Sequence, residues 1–128
     1  TKEDMKRALR IRKIFGGGMR QAGYLAAAGM YALQNNISRL EEDHKKAKEL
    51  GEILATLPFI YKVEPIETNI VIFTLKSDVS ETQFIDKLKE KNINISNMGQ
   101  GKLRMVTHLD YKQVMHDYVM ETLSKISF

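Results

Sequence analysis

At 128 residues, 43% of them hydrophobic, the chain is long enough for one packed core and too short for two ordinary domains. No run approaches the roughly 20 apolar residues that cross a bilayer, and without cysteine there are no disulfides, thiolate nucleophiles or cysteine-type zinc sites. The net charge of +4 is modest but uneven, with Lys2, Lys6, Arg7, Arg10, Arg12, Lys13 and Arg20 facing only Glu3 and Asp4 near the start.

Residues 2 to 14 read as a helix, with Met5, Ala8, Leu9, Ile11 and Ile14 beneath the basic face, and Gly16-Gly17-Gly18 ends it. From Met19 to about Gln34 the chain is rich in Ala and Gly, which predicts a buried helix that approaches a neighbour closely. Asn35-Asn36 breaks the pattern. Ser38 and Glu41 have capping-box spacing ahead of a long helix that Pro58 stops.

After Pro58 the period changes. Residues 61–64 alternate and residues 69–75 form a β-branched apolar run, so both read as strands. Ser80 and Gln83 cap a helix reaching about Lys91, with Phe84, Ile85 and Leu88 inward. Residues 93–98 and 103–107 read as strands joined by Gly99-Gln100-Gly101. A last helix starts near Asp110 and turns Val114, Tyr118 and Leu123 inward. The predicted architecture is α+β: N-terminal helices, then a small antiparallel sheet covered by helices on one face. Residues 1–57 form linking and interface helices and residues 58–128 a small α+β domain, read together as one domain.

A basic stripe attracts nucleic acid, anionic lipid or a phosphorylated small molecule equally well, or simply solvates a helix. Single-stranded nucleic acid is disfavoured, because no aromatics interleave with the basic residues on a sheet face. His44, His108 and His116 have no metal-ligand spacing, and the adjacent Glu41 and Glu42 point different ways on a helix. His44 and His116 are expected to face solvent or satisfy a helix cap, whereas His108 ends a strand and could orient a neighbour.

Two segments carry more. In Arg12 to Gln21 a glycine triplet lies between Lys13 and Arg20, which suits either an anion site at a helix start or a hinge. In Lys102 to Asp110, alternation puts Arg104, Val106 and His108 on one face and Leu103, Met105 and Thr107 on the other. A strand-borne Arg104 can hold its guanidinium rigidly for a carboxylate, or make a surface ion pair.

These segments, "KIFGGGMRQAG" and "LRMVTHLD" with "LAAAGMYAL", "RLEEDHKKA" and "ETNIVIF" between them, closely resemble the C-terminal third of the L-threonine aldolase family. The resemblance implies the small domain of an aspartate-aminotransferase-like pyridoxal-phosphate enzyme. It implies homotetramers with active sites at subunit boundaries that cleave L-threonine or L-allo-threonine to glycine and acetaldehyde. It assigns Arg104 to the substrate carboxylate, and Lys13 and Arg20 to the cofactor phosphate of a neighbouring subunit. His44 in "EEDH" matches a family pattern with no catalytic duty.

The resemblance leaves the covalent attachment of pyridoxal phosphate, and every catalytic group, to a large domain outside this chain, so the chain alone is expected to be inactive. Its implied partners are that large domain, the other subunits and an amino-acid substrate, with no nucleic acid or membrane. Thr at position 1 predicts a chain taken from something longer, and the missing cysteines and leader predict a cytoplasmic setting. Other readings are a β-eliminating lyase of the same cofactor class, or a non-catalytic nucleic-acid-binding or assembly module.

Overall fold

Thr1 opens helix α1, Lys2–Arg12, by accepting the Asp4 amide on its hydroxyl at 3.2 Å, which satisfies one donor of the first turn. The computed structural model describes residues 1–128. The predicted helix to residue 14 ends in a single wide turn, Lys13–Gly17, in which Gly16 has φ +86. That turn requires glycine: a Cβ on Gly17 would stand 2.9 Å from the Arg12 carbonyl oxygen.

Helix α2 is Gly23–Asn35, four residues later than the predicted start at Met19, because residues 20–22 form a turn with Gln21 at φ 50. The glycine triplet therefore closes α1 and does not open α2. The expectation that this Ala/Gly-rich helix is buried is corrected, since every residue of α2 is exposed in this chain. Thr1–Ser38 is one compact unit, and a pair of helices this short encloses no core.

Arg39–Phe128 is the second unit. It begins with α3, Leu40–Thr56, which the sequence reading groups with the linking helices but which packs on the sheet. The Ser38–Glu41 capping box does not form; Arg39 occupies the cap position without a side-chain cap. Instead its guanidinium grips Asp43 with two hydrogen bonds, 2.9 and 2.6 Å long, and fixes the first turn that way. Asp43, Ala47, Leu50, Gly51 and Leu54 recur every three or four residues and form the buried stripe.

Four strands follow: β1 Ile60–Val63, β2 Ile70–Leu75, β3 Ser96–Gly99 and β4 Lys102–Val106. They form an antiparallel sheet in the order β1-β2-β4-β3. Ser80 caps α4, Glu81–Glu90, by accepting the Gln83 amide as the sequence predicts. β3 is shorter than predicted, because residues 93–95 stay outside the ladder while the Ile93 amide donates to the Leu88 carbonyl. Gly99, Gln100 and Gly101 all have positive φ, which tightens the β3–β4 connection.

Helix α5 is Gln113–Lys125, three residues later than predicted. Its inner face is His116, Val119 and Leu123. The prediction for Val114 and Tyr118 is corrected: Val114 is 81% exposed and Tyr118 47%. His116, Val119 and Leu123 share one helix face, and Val114 and Tyr118, each two positions from His116, lie about 200° around the axis from it. The three helices cover one sheet face, where Val71, Phe73, Leu75, Leu103 and Met105 meet Leu54, Phe84, Leu88 and Leu123. Phe73 and Phe84 pack edge to face at 5.8 Å. The opposite sheet face carries no helix of this unit.

Candidate functional site

β4 alternates as its sequence requires. Leu103, Met105 and Thr107 are buried toward the helices, so Arg104 and Val106 project from the uncovered face. Arg104 is half-buried between its register partners Ile72 on β2 and Ser96 on β3. Its Nε is enclosed yet has no hydrogen-bond partner, and its guanidinium enters no ion pair. The alternative of a surface ion pair is therefore not realised. An enclosed N–H without an acceptor costs about 1–3 kcal/mol, so an anionic or carbonyl acceptor supplied from outside would restore what folding leaves unmet.

The strand end is clamped by residues that sequence reasoning overlooked. The Thr107 amide donates to the Asn69 carbonyl at 3.0 Å, and Asn69 Nδ2 returns a 2.7 Å bond to the Thr107 carbonyl. The Thr107 hydroxyl donates to the Asp43 carbonyl at 2.7 Å. Asp43 is itself held by Arg39. The available signal was a hydroxyl residue at an inward strand position, which needs a buried partner.

The carboxylate of Glu64 lies on the Arg104 face. The Glu64 amide donates to the Ile72 carbonyl at 2.8 Å, so Glu64, Ile72, Arg104 and Ser96 stand in one row across the sheet. Glu64 pairs with Lys62 at 2.6 Å and with Lys102 at 3.6 Å. The Lys62 hydrogen bond, opposed by partial desolvation, holds the Glu64 carboxyl below its ordinary range.

The histidines divide. His108 is exposed just beyond β4, and its Nδ1 accepts the Asp110 amide at 3.2 Å, which leaves Nε2 to carry the proton of the neutral ring. His44 is half-buried and makes no hydrogen bond through its ring. The expectation that His116 faces solvent or satisfies a cap is corrected: it is 2% exposed and its ring meets side chains, with Nε2 2.8 Å from Glu49 and Nδ1 3.2 Å from the Tyr111 hydroxyl. A carboxylate only accepts, so Nε2 donates to Glu49 and, in the neutral ring, Tyr111 donates to Nδ1. Glu41 and Glu42 are both exposed.

Lys13 and Arg20 lie in the first unit, exposed and without an ion pair. The turn that separates them is fixed by Gly16 and Gly17, as described above. Two cations without ion pairs flank that turn. Arg104, in the second unit, fits a carboxylate.

A model of the beta-eliminating lyase family matches residues 1–78. A low specificity L-threonine aldolase of Escherichia coli is 41% identical over 110 residues, covering 86% of this chain and 32% of the relative. A probable low-specificity L-threonine aldolase 2 of Arabidopsis thaliana is 33% identical over 129 residues, covering 98% of this chain and 36% of the relative. The chain thus spans about a third of the length of the curated relatives it matches. Among solved structures, the cystine C-S lyase C-DES in complex with cysteine persulfide superposes with a TM-score of 0.61 at 19% identity, over 84% of this chain and 29% of that one. The fold is the one seen in that lyase, and with its family match and threonine aldolase relatives the chain belongs to the beta-eliminating lyase family.

Proposed function

We propose that this chain is the C-terminal part of a pyridoxal-phosphate-dependent threonine aldolase that cleaves L-threonine or L-allo-threonine to glycine and acetaldehyde. The observation that carries the reading is the enclosed, unpartnered Nε of Arg104 on the uncovered sheet face. Arg104 offers the substrate carboxylate two parallel N–H donors and so fixes rotation at the substrate Cα. Thr107, Asn69 and Asp43 keep the strand rigid enough for that grip. Lys13 and Arg20 hold the cofactor phosphate of a neighbouring subunit. Pyridoxal phosphate, when bound, supplies the electron sink for the bond that breaks at Cα.

The large domain, with the lysine that holds the cofactor, lies outside this chain, which is therefore inactive alone. The exposed apolar side chains of α2, among them Tyr24, Leu25 and Tyr31, are covered by other subunits of a cytoplasmic homotetramer. In the full-length enzyme, Arg104→Lys loses the planar fork and about 1.5–3 kcal/mol of charge-assisted hydrogen bonding, a ten- to hundredfold drop in kcat/KM. An unchanged kcat/KM for L-threonine removes Arg104 from the site. Arg20→Ala is expected to speed cofactor dissociation and leave substrate affinity nearly intact, and an unaltered dissociation rate ends its phosphate role.

The family's own description favours β-elimination as a second reading. Product analysis with L-threonine separates the two: the aldolase releases glycine and acetaldehyde, whereas elimination yields 2-oxobutanoate and ammonia.

A further inference from the structure

Glu64 and Arg104 are set two strands apart in one row of the sheet, on the same face. With strands about 4.8 Å apart, their backbones lie about 10 Å apart, within the combined reach of a glutamate and an arginine. A half-buried guanidinium with an unmet donor and an ionised carboxylate at that range should pair. They do not. Both Glu64 oxygens are taken, Oε2 by Lys62 at 2.6 Å and Oε1 by Lys102 at 3.6 Å.

We infer that Lys62 and Lys102 are positioning residues that hold Glu64 away from Arg104 and keep the guanidinium open for the carboxylate of the amino-acid substrate. The inference rests on the proposed role of Arg104. The Lys62 contact favours the ionised form of Glu64, so the competing anion is present at neutral pH. Lys62 and Lys102 side chains are 56% and 48% exposed, so their ion pairs contribute little to folding and the arrangement is read out in binding. Within this cluster Lys62, Lys102 and Arg104 outnumber Glu64, and the local excess of positive charge draws an incoming carboxylate.

The test uses the full-length enzyme loaded with pyridoxal phosphate. Four forms are compared: wild type, Lys62→Gln/Lys102→Gln, that double variant with Glu64→Gln added, and Arg104→Lys. KM and kcat are measured for L-threonine, and Kd for glycine by calorimetry. If the released Glu64 occupies Arg104 in about nine molecules of ten, the double variant raises KM and Kd about tenfold with kcat little changed. Adding Glu64→Gln returns both to near the wild-type values. A crystal structure of the double variant is expected to show a Glu64 oxygen within hydrogen-bond distance of the Arg104 guanidinium. Unchanged KM and Kd in the double variant, no recovery in the triple variant, or a Glu64 still turned away overturns the inference. If Arg104→Lys binds glycine as well as wild type, the role of Arg104 itself fails; if only the lysine pair is silent, the guarding role alone fails.

Discussion

The Thr107 hydroxyl donates a 2.7 Å hydrogen bond to the main-chain carbonyl of Asp43, joining the end of β4 to the first turn of α3 across 64 sequence positions. Thr107 is fully buried. Thr107→Val keeps the shape, removes the hydroxyl and is expected to lower stability by about 1–2 kcal/mol. Urea unfolding of the chain checks this: an unchanged midpoint means that the hydroxyl contributes nothing to the clamp. In the full-length enzyme the same change should also raise KM for L-threonine, since the strand carrying Arg104 loses its anchor to α3.

Arg104 predicts an opposition between stability and function. Its enclosed Nε has no partner, so Arg104→Met removes an unmet donor while keeping much of the aliphatic stem. Stability of the chain should hold or rise by about 1 kcal/mol. Glycine binding to the full-length enzyme should fall sharply. A loss of stability of about 2 kcal/mol or more in denaturant titrations would mean that Arg104 makes a folding contact and is not reserved for a ligand.

Gly51 is buried in the middle of α3, where an added Cβ would collide with Cδ1 of Ile66. Alanine gains about 1 kcal/mol of helix propensity over glycine, but overpacking a filled core costs about 1–3 kcal/mol. The expected net effect of Gly51→Ala is destabilisation by about 1 kcal/mol. Removing the offending methyl with Ile66→Val in the same chain should recover the loss. Thermal melts of the single and double variants decide it, and a single variant that melts above wild type would mean that Ile66 moves aside freely.

Tyr111 gives a pH signature. Burial, with the charge of Asp117 adding to it, pushes its phenol from 10.0 up to about 12. The neutral form is favoured in the folded chain, so its contribution is complete below the unfolded value of about 10 and is lost as pH rises toward about 12. Urea midpoints should therefore fall across this interval. Tyr111→Phe should flatten that part of the curve while giving up the hydrogen bond to His116 at every pH. Parallel curves for the two forms would mean that the phenol titrates alike folded and unfolded.

Strand alternation alone places Arg104 opposite Leu103, Met105 and Thr107, and Ser80 marks the start of α4. Both follow from rules that act within a few residues: side chains alternate across a pleated strand, and a short hydroxyl side chain reaches the amide three positions on. The sequence therefore determined the α+β order of elements and which residues of β4 leave the core. Only the tertiary structure decided what they meet. It buried His116 against Glu49, 67 positions away, and tied Lys62 and Lys102 to Glu64, leaving Arg104 without a partner. Pairings of that kind depend on how helices and strands dock, and no local periodicity encodes the docking.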